Sequence, residues 1–189
     1  MTDPFFFGYG SLVNTRTHDY GTPTPARLTG WRRVWRHTHL RDLAFLSARP
    51  DPGSQIDGLI AHVPGADWEA LDLRERAYNR TPLDHAQVEH ALDRRVDVQI
   101  YQTNHANDAP PSVRHPILLS YIDVVVQGYL SVFGEAGVTS FFETTDGWAA
   151  PILDDRTTPR YTRHQKLTPF ERDLVDHHLS GLPAKIEKL

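Results

Sequence analysis

An α+β fold built around a small barrel, followed by a mainly helical C-terminal part, is predicted by three observations. The first half alternates short β-rich segments with Pro, Gly and Asp clusters and carries one well-marked helix. One helix crossing several strands belongs to the α+β class. The last third closes on a strongly signalled helix, Thr168-Pro169-Phe170-Glu171, a capping box with proline at the first helical position.

In chain order, Phe5-Phe6-Phe7 is a short apolar run that reads as a buried strand. It breaks at once into Gly8-Tyr9-Gly10-Ser11-Leu12. There Gly8 and Gly10 permit positive φ and close backbone approach, and Ser11 is a fair N-cap for a short helix over about Leu12–His18. A strand opening into helix N-terminal N–H groups makes a small anion site. The turn lacks the Gly-Lys-Ser/Thr ending of a P-loop, so a carboxylate is expected there rather than a nucleotide.

Strands are then expected near Ala26–His37, Leu43–Ala48, Gln55–Val63, Leu83–His90 and Arg95–Gln102. Pro50-Asp51-Pro52-Gly53 reads as a turn, because proline sets φ and glycine accepts φ > 0. The helix runs from about Asp67, its N-cap, to Ala77. Asn104–Arg114 reads as a loop. His115-Pro116 opens a helically spaced segment to about Phe133, with Pro116 in its first turn; Leu118, Tyr121, Val125 and Tyr129 form its stripe, and Val124-Val125-Val126 pulls toward a strand. Glu143–Lys166 is irregular, and the final helix spans about Pro169–Leu179 with Gly181 as its stop.

Composition narrows the function classes. The 189 residues carry a formal net charge of -4, which argues against a general nucleic-acid binder. No cysteine is present, so disulfides and thiolate chemistry are excluded. No signal peptide and no membrane-length apolar run is read, so a soluble cytoplasmic protein is expected.

On the first helix, Trp68, Leu71, Asp72 and Glu75 share one face. Trp68 and Leu71 must look inward, which puts Glu75 and Asp72 on or beside the buried stripe. A buried carboxylate near a helix C-terminus, with a second acid three residues before it, favours its protonated form and suits proton transfer. The bland reading pairs Glu75 with Arg74, Arg76 or Arg80 at the helix edge. On the strand Arg95–Gln102, Val96, Val98 and Ile100 alternate with Asp97, Gln99 and Tyr101. Tyr101 therefore points to solvent in an open sheet, or into a polar cavity in a barrel.

Gly8-Tyr9-Gly10-Ser11-Leu12, followed some sixty residues later by Leu71-Asp72-Leu73-Arg74-Glu75, resembles the γ-glutamylcyclotransferase-like superfamily. That group includes the ChaC glutathione-degrading enzymes and the γ-glutamylamine cyclotransferases. Tyr78-Asn79-Arg80 is similar to the Tyr-x-Arg that often follows the family's glutamate, and Ile100-Tyr101 to a later strand whose tyrosine lines the site in some members. The resemblance implies a small mixed β-barrel with flanking helices, and conversion of a γ-glutamyl compound to 5-oxoproline with release of an amine or amino acid. Glu75 would be the acid/base. Tyr9, Gly10, Ser11 and Leu12 would cradle the γ-glutamyl group, and Tyr78 and Tyr101 would orient it. It implies no metal and no cofactor, and a small-molecule partner rather than nucleic acid or membrane.

The likeness covers about residues 5–102. The chain is accordingly read as one domain over 1–189, with a core at about 4–102 and a C-terminal extension, 103–189, packing on it. That extension and the dense flanking of Glu75 by Arg74 and Arg76 depart from the family pattern.

Three rival readings are weighed. His37, His39, Asp154-Asp155 and His177-His178 invite a metal hydrolase, but without a His-Glu-x-x-His or comparable spacing. Trp31-Arg32-Arg33-Val34-Trp35-Arg36 is basic and aromatic, yet alternation makes it a packed strand rather than a nucleic-acid surface. A non-catalytic module of the same fold, binding a metabolite or partner, is the strongest alternative.

Overall fold

The computed structural model describes residues 4–39, 42–103 and 108–188. In chain order these form β1 (Pro4–Gly8), β2 (Gly21–Thr38), β3 (Phe45–His62), α1 (Trp68–Arg74), β4 (Tyr78–Pro82), β5 (Val88–His90), β6 (Asp97–Thr103) and β7 (Asp108–Ala109). There follow β8 (Ile117–Leu118), α2 (Leu119–Glu143), β9 (Thr145–Asp146), β10 (Pro151–Asp154), α3 (Pro169–Ser180) and β11 (Lys185–Lys188).

The α+β class is as predicted, but the sheet does not close into a barrel. Its pairing runs β4-β6-β1-β3-β2-β5, with β1 parallel to β6 and antiparallel to β3. Closure needs the two end strands to run side by side. β5 has three residues, and these pair with Ala26, Arg27 and Leu28 of β2. Among the described residues β4 and β5 are not paired with each other.

The spine is the β2–β3 hairpin, 18 residues a strand. It fuses the two segments expected at Leu43–Ala48 and Gln55–Val63. The proline turn between them is real but local. Trp31 pairs with Pro50 and Thr29 with Gln55, so residues 51–54 bulge opposite Gly30. Gly30 takes φ 80° there, and the Asp51 carboxylate accepts from Gly53 N–H and Ser54 Oγ.

Both faces of β1 are covered, which is why its three phenylalanines run without alternation. Phe5 and Phe7 enter the main core with Leu28, Trp35 and Ile60 of the hairpin and Ile122, Val125, Val126 and Tyr129 of α2. Phe6 enters a smaller core with Leu12, Ala61, Val63, Leu71 and Tyr101, under α1.

Several expected boundaries move. Residues 12–18 form two 3-10 turns, Ser11–Val13 and Thr15–Thr17, instead of a helix. Asn14 stands extended between them, with its amide donating to Val124 O and Gln127 Oε1 of α2 at 2.9 and 3.0 Å. Ser11 caps nothing. Of the strand expected over Leu83–His90 only β5 at its end is formed, after a 3-10 turn at His85–Gln87, and β4 lies before it at Tyr78–Pro82. Of the loop expected at Asn104–Arg114, residues 104–107 lie outside the described residues, and Asp108–Ala109 pairs with β2.

Pro116 precedes the short strand β8, and α2 begins only at Leu119. The helix keeps its three valines fully buried, so packing outweighs β-branched propensity. It breaks at Gly134, φ 67°, one residue after the expected end at Phe133, and resumes to Glu143. The capping box at Thr168 and Glu171 is present, and α3 ends at Gly181 as expected. The segment expected to be irregular contributes β9 and β10, and β10 pairs in parallel with β8 and with the unforeseen β11. Among the described residues no helix is long and apolar enough to cross a membrane.

Candidate active site

The chain leaves β1 at Gly8 through a turn that tolerates no extra atoms. A Cβ on Gly8 would sit 2.7 Å from Leu12 Cβ, and one on Gly10 2.7 Å from the Tyr121 hydroxyl. Neither glycine takes positive φ, so the reason for both is close approach alone. The turn is tied down from below. The Tyr9 carbonyl accepts from Arg33 Nε at 3.1 Å and from the Tyr129 hydroxyl at 3.0 Å, while the Tyr9 hydroxyl donates to the Tyr101 carbonyl. Arg33 is fully buried and also donates to Thr144 Oγ1 at 2.6 Å, to the Asp57 carbonyl and to the Tyr129 hydroxyl. Its strand face is thus internal, as alternation predicts.

Glu75 arrives from the other side. It is the C-cap of α1, donating its N–H to Leu71 O at 2.9 Å and accepting from Tyr78 N–H at 2.8 Å. Its side chain is 17% exposed and lies with Arg74 Nε at 3.2 Å. It pairs with a neighbouring arginine, and it lines an interior hollow with Tyr9, Gly10, Ser11, Tyr78, Tyr101 and Tyr121.

Space in that hollow is about 40 Å3, room for the end of a ligand rather than the whole. It adjoins an outer cleft of about 500 Å3, which shares Ser11, Glu75, Tyr78 and Tyr121. A larger groove of about 690 Å3 lies by Arg27, Asp57, His90 and Phe133. There Arg27 and Asp57 satisfy each other at 2.9 Å, so volume alone does not choose the site.

The phenols around Glu75 are held protonated. Burial raises Tyr9, Tyr101 and Tyr121 first. Tyr121 and Glu75 then add to Tyr9, Asp72 and Glu75 to Tyr101, and Tyr161 and Glu75 to Tyr121. The three therefore act as donors. Tyr101 is not in solvent, because α1 covers that face of β6; it is 4% exposed and donates to Asp72. Tyr78 donates to Leu46 O at 2.7 Å, fixing its ring at the cleft.

Asp72 does not crowd Glu75 as an unpaired like charge. Arg80 donates to it through Nε at 3.0 Å and Nη2 at 3.2 Å. Burial raises this carboxyl, but the Tyr101 phenol and Arg80 outweigh it and hold it below the ordinary value. A carboxyl depressed on folding adds stability above its unfolded pKa and loses it as pH falls through its folded one. The wild type's margin over Asp72→Asn is expected at pH 7 and to shrink below about pH 4. It should stay within about 1 kcal/mol, since the side chain is 44% exposed. Urea unfolding at pH 7 and pH 3 measures it, and an equal margin at both would contradict the Tyr101–Arg80 account.

Tyr121 is the functional candidate that sequence reasoning missed. It sits on the expected α2 stripe, and its hydroxyl on an apolar row is the available signal, one that Tyr129 shares. His37 stacks on His115 at 3.9 Å and His178 on Phe142 at 4.7 Å. Asp155 is buried on Ser120, accepting from its N–H at 2.8 Å and its Oγ at 2.6 Å. Among the described residues no three His, Asp or Glu side chains form a metal-ligand set.

The sequence profile of the family described as gamma-glutamyl cyclotransferase, AIG2-like, matches residues 6–118. The chain belongs to this family. Among curated proteins none matches the sequence. Three solved structures share the gamma-glutamyl cyclotransferase-like fold. One is named gamma-glutamyl cyclotransferase, at 15% identity, covering 92% of this chain and 98% of its own, TM-score 0.56. An uncharacterized human protein is 15% identical over 91% of this chain and 97% of its own, TM-score 0.58. YkqA from Bacillus subtilis is 17% identical over 98% of this chain and 57% of its own, TM-score 0.57.

Proposed function

We propose that this family member cyclises a γ-glutamyl substrate to 5-oxoproline and releases an amine or amino acid, with Glu75 as the proton carrier. The observation that carries the reading is that Glu75 and the Gly8–Leu12 turn line one hollow.

The γ-glutamyl α-ammonium enters beside Glu75 and gives its proton to the carboxylate. The freed nitrogen attacks its own γ-carbonyl carbon, the C–N bond forms, and the carbonyl electrons move to oxygen. The donors for that oxyanion would come from the start of the Ser11–Val13 turn, because the first N–H groups of a 3-10 turn have no acceptor inside it; that of Ser11 is shared with the Tyr121 hydroxyl. The carbonyl then re-forms and the old amide bond breaks as protonated Glu75 delivers its proton to the departing nitrogen. The freed carboxylate next takes the second proton from the ring nitrogen and passes it to the released amine, which leaves as an ammonium. Attack is intramolecular, so holding the arm folded removes much of the entropic barrier. Tyr121 keeps its O–H for the arm, while Tyr9, Tyr101 and Tyr78, whose hydroxyls donate to Tyr101 O, Asp72 and Leu46 O, orient it as fixed walls of the hollow.

Incubation with glutathione, γ-glutamyl dipeptides and γ-glutamylamines tests this, read as 5-oxoproline by chromatography. Release from at least one compound is expected. Release from none would overturn it.

A further inference from the structure

The outer cleft is basic in a protein whose formal charge is -4. Arg74, Arg76, Arg160 and Arg163 line it against the acids Asp42 and Glu75. Arg74 is the buried one, its side chain 10% exposed. Its Nε is committed to Glu75 and its Nη1 donates to Thr17 O at 3.5 Å, but its Nη2 is buried with no hydrogen-bond partner among the described residues. That nitrogen has no accessible surface, so Arg74 acts on the cleft through its positive charge, while the exposed guanidinium groups supply the hydrogen bonds.

Two further arginines are displayed by an anchored segment. The Arg160 N–H donates to the fully buried Asp155 at 2.8 Å, and Tyr161 stacks edge-on against Tyr121 at 5.0 Å. Arg160 and Arg163 have no carboxylate partner among the described residues.

Resting on the cyclotransferase reading above, we infer that the leaving group of the substrate carries a carboxylate, held in the outer cleft by Arg74, Arg160 and Arg163. The substrate class is then a γ-glutamyl amino acid or peptide, not a γ-glutamyl alkylamine. The geometry runs outward in order. The γ-glutamyl arm fills the inner hollow, its amide nitrogen lies by Glu75, and the leaving group extends into the arginine-lined space. Planar guanidinium groups suit a carboxylate because they bind it through two parallel N–H bonds.

The test compares γ-glutamylglycine with γ-glutamylglycinamide, which differ in leaving-group charge and little in size. The acid is expected to be preferred in kcat/KM by roughly tenfold or more, the scale of a charge-assisted hydrogen bond. In Arg160→Gln/Arg163→Gln that preference should fall to within about threefold. Both side chains are exposed, so folding is not at stake. Equal turnover of acid and amide by the wild type overturns this inference and leaves the cyclotransferase reading standing. So does a preference that survives in the double variant. If neither compound nor the wider panel yields 5-oxoproline, the parent reading falls and this one with it.

Discussion

Glu75→Gln is expected to lower 5-oxoproline formation by about 10²- to 10⁴-fold, the range for removing a positioned acid/base. Glutamine keeps the size and planarity of the side chain but cannot take a proton from an ammonium or return one to a leaving nitrogen. The capping role at the end of α1 is untouched, because it runs through the Glu75 backbone N–H and carbonyl. The pair with Arg74 is largely buried, with side chains 10% and 17% exposed, so the change removes a charge partner there. The glutamine oxygen can still accept from Arg74 Nε, and the cost is expected at about 1–3 kcal/mol. Thermal unfolding reports whether the variant is folded, and in the folded variant calorimetry should still detect a γ-glutamyl ligand. Turnover at the wild-type rate would remove Glu75 from the mechanism. Wild-type binding in a protein that never released 5-oxoproline would instead favour the non-catalytic module.

Much of this geometry was legible in the residues because it rests on local rules. The face shared by Trp68, Leu71 and Glu75 follows from helical spacing, and the 3-10 turn after Gly8 stays close to the expected site. What spacing does not carry is which element covers which face. Tyr101 reads as solvent-facing on a strand considered alone; α1 laid over β6 buries it and turns it into a donor to Asp72. Tyr121 reads as core on a helix considered alone; Gly10 packs against its hydroxyl and makes it a wall of the hollow. Asn14 interrupts the expected helix because its amide is occupied by α2, over a hundred positions away in sequence. The barrel failed for a related reason: strand content can be read from alternation, whereas pairing of the two end strands is a long-range property.

Gly58→Ala is expected to destabilise the fold by about 2–3 kcal/mol and to slow catalysis as well, although alanine in a strand interior ordinarily gains stability. The ordinary gain, about 0.4–1 kcal/mol, comes from a less flexible unfolded chain. Here a Cβ meets the Gly8 carbonyl oxygen and the Phe7 ring, with Phe7 Cζ at 2.7 Å and Cε1 at 2.9 Å. The backbone oxygen cannot swing aside, because Gly8 pairs with Leu59 in the β1–β3 ladder. Phe7 is 1% exposed and packed in the main core, so its ring has nowhere to go. Overpacking therefore outweighs the entropic gain. In a chain of this length that cost lowers Tm by roughly 4–12 °C. The strand end that must move is the one that launches the Tyr9–Leu12 turn, and a displacement near 1 Å there costs on the order of 10²-fold in rate. Gly21→Ala is the control. A Cβ at the start of β2 meets nothing within 4 Å, and the position does not take positive φ. It should be neutral or gain a few tenths of a kcal/mol. Thermal unfolding of the two variants beside the wild type separates the effects, and equal Tm values for both would refute the close-approach account of β1.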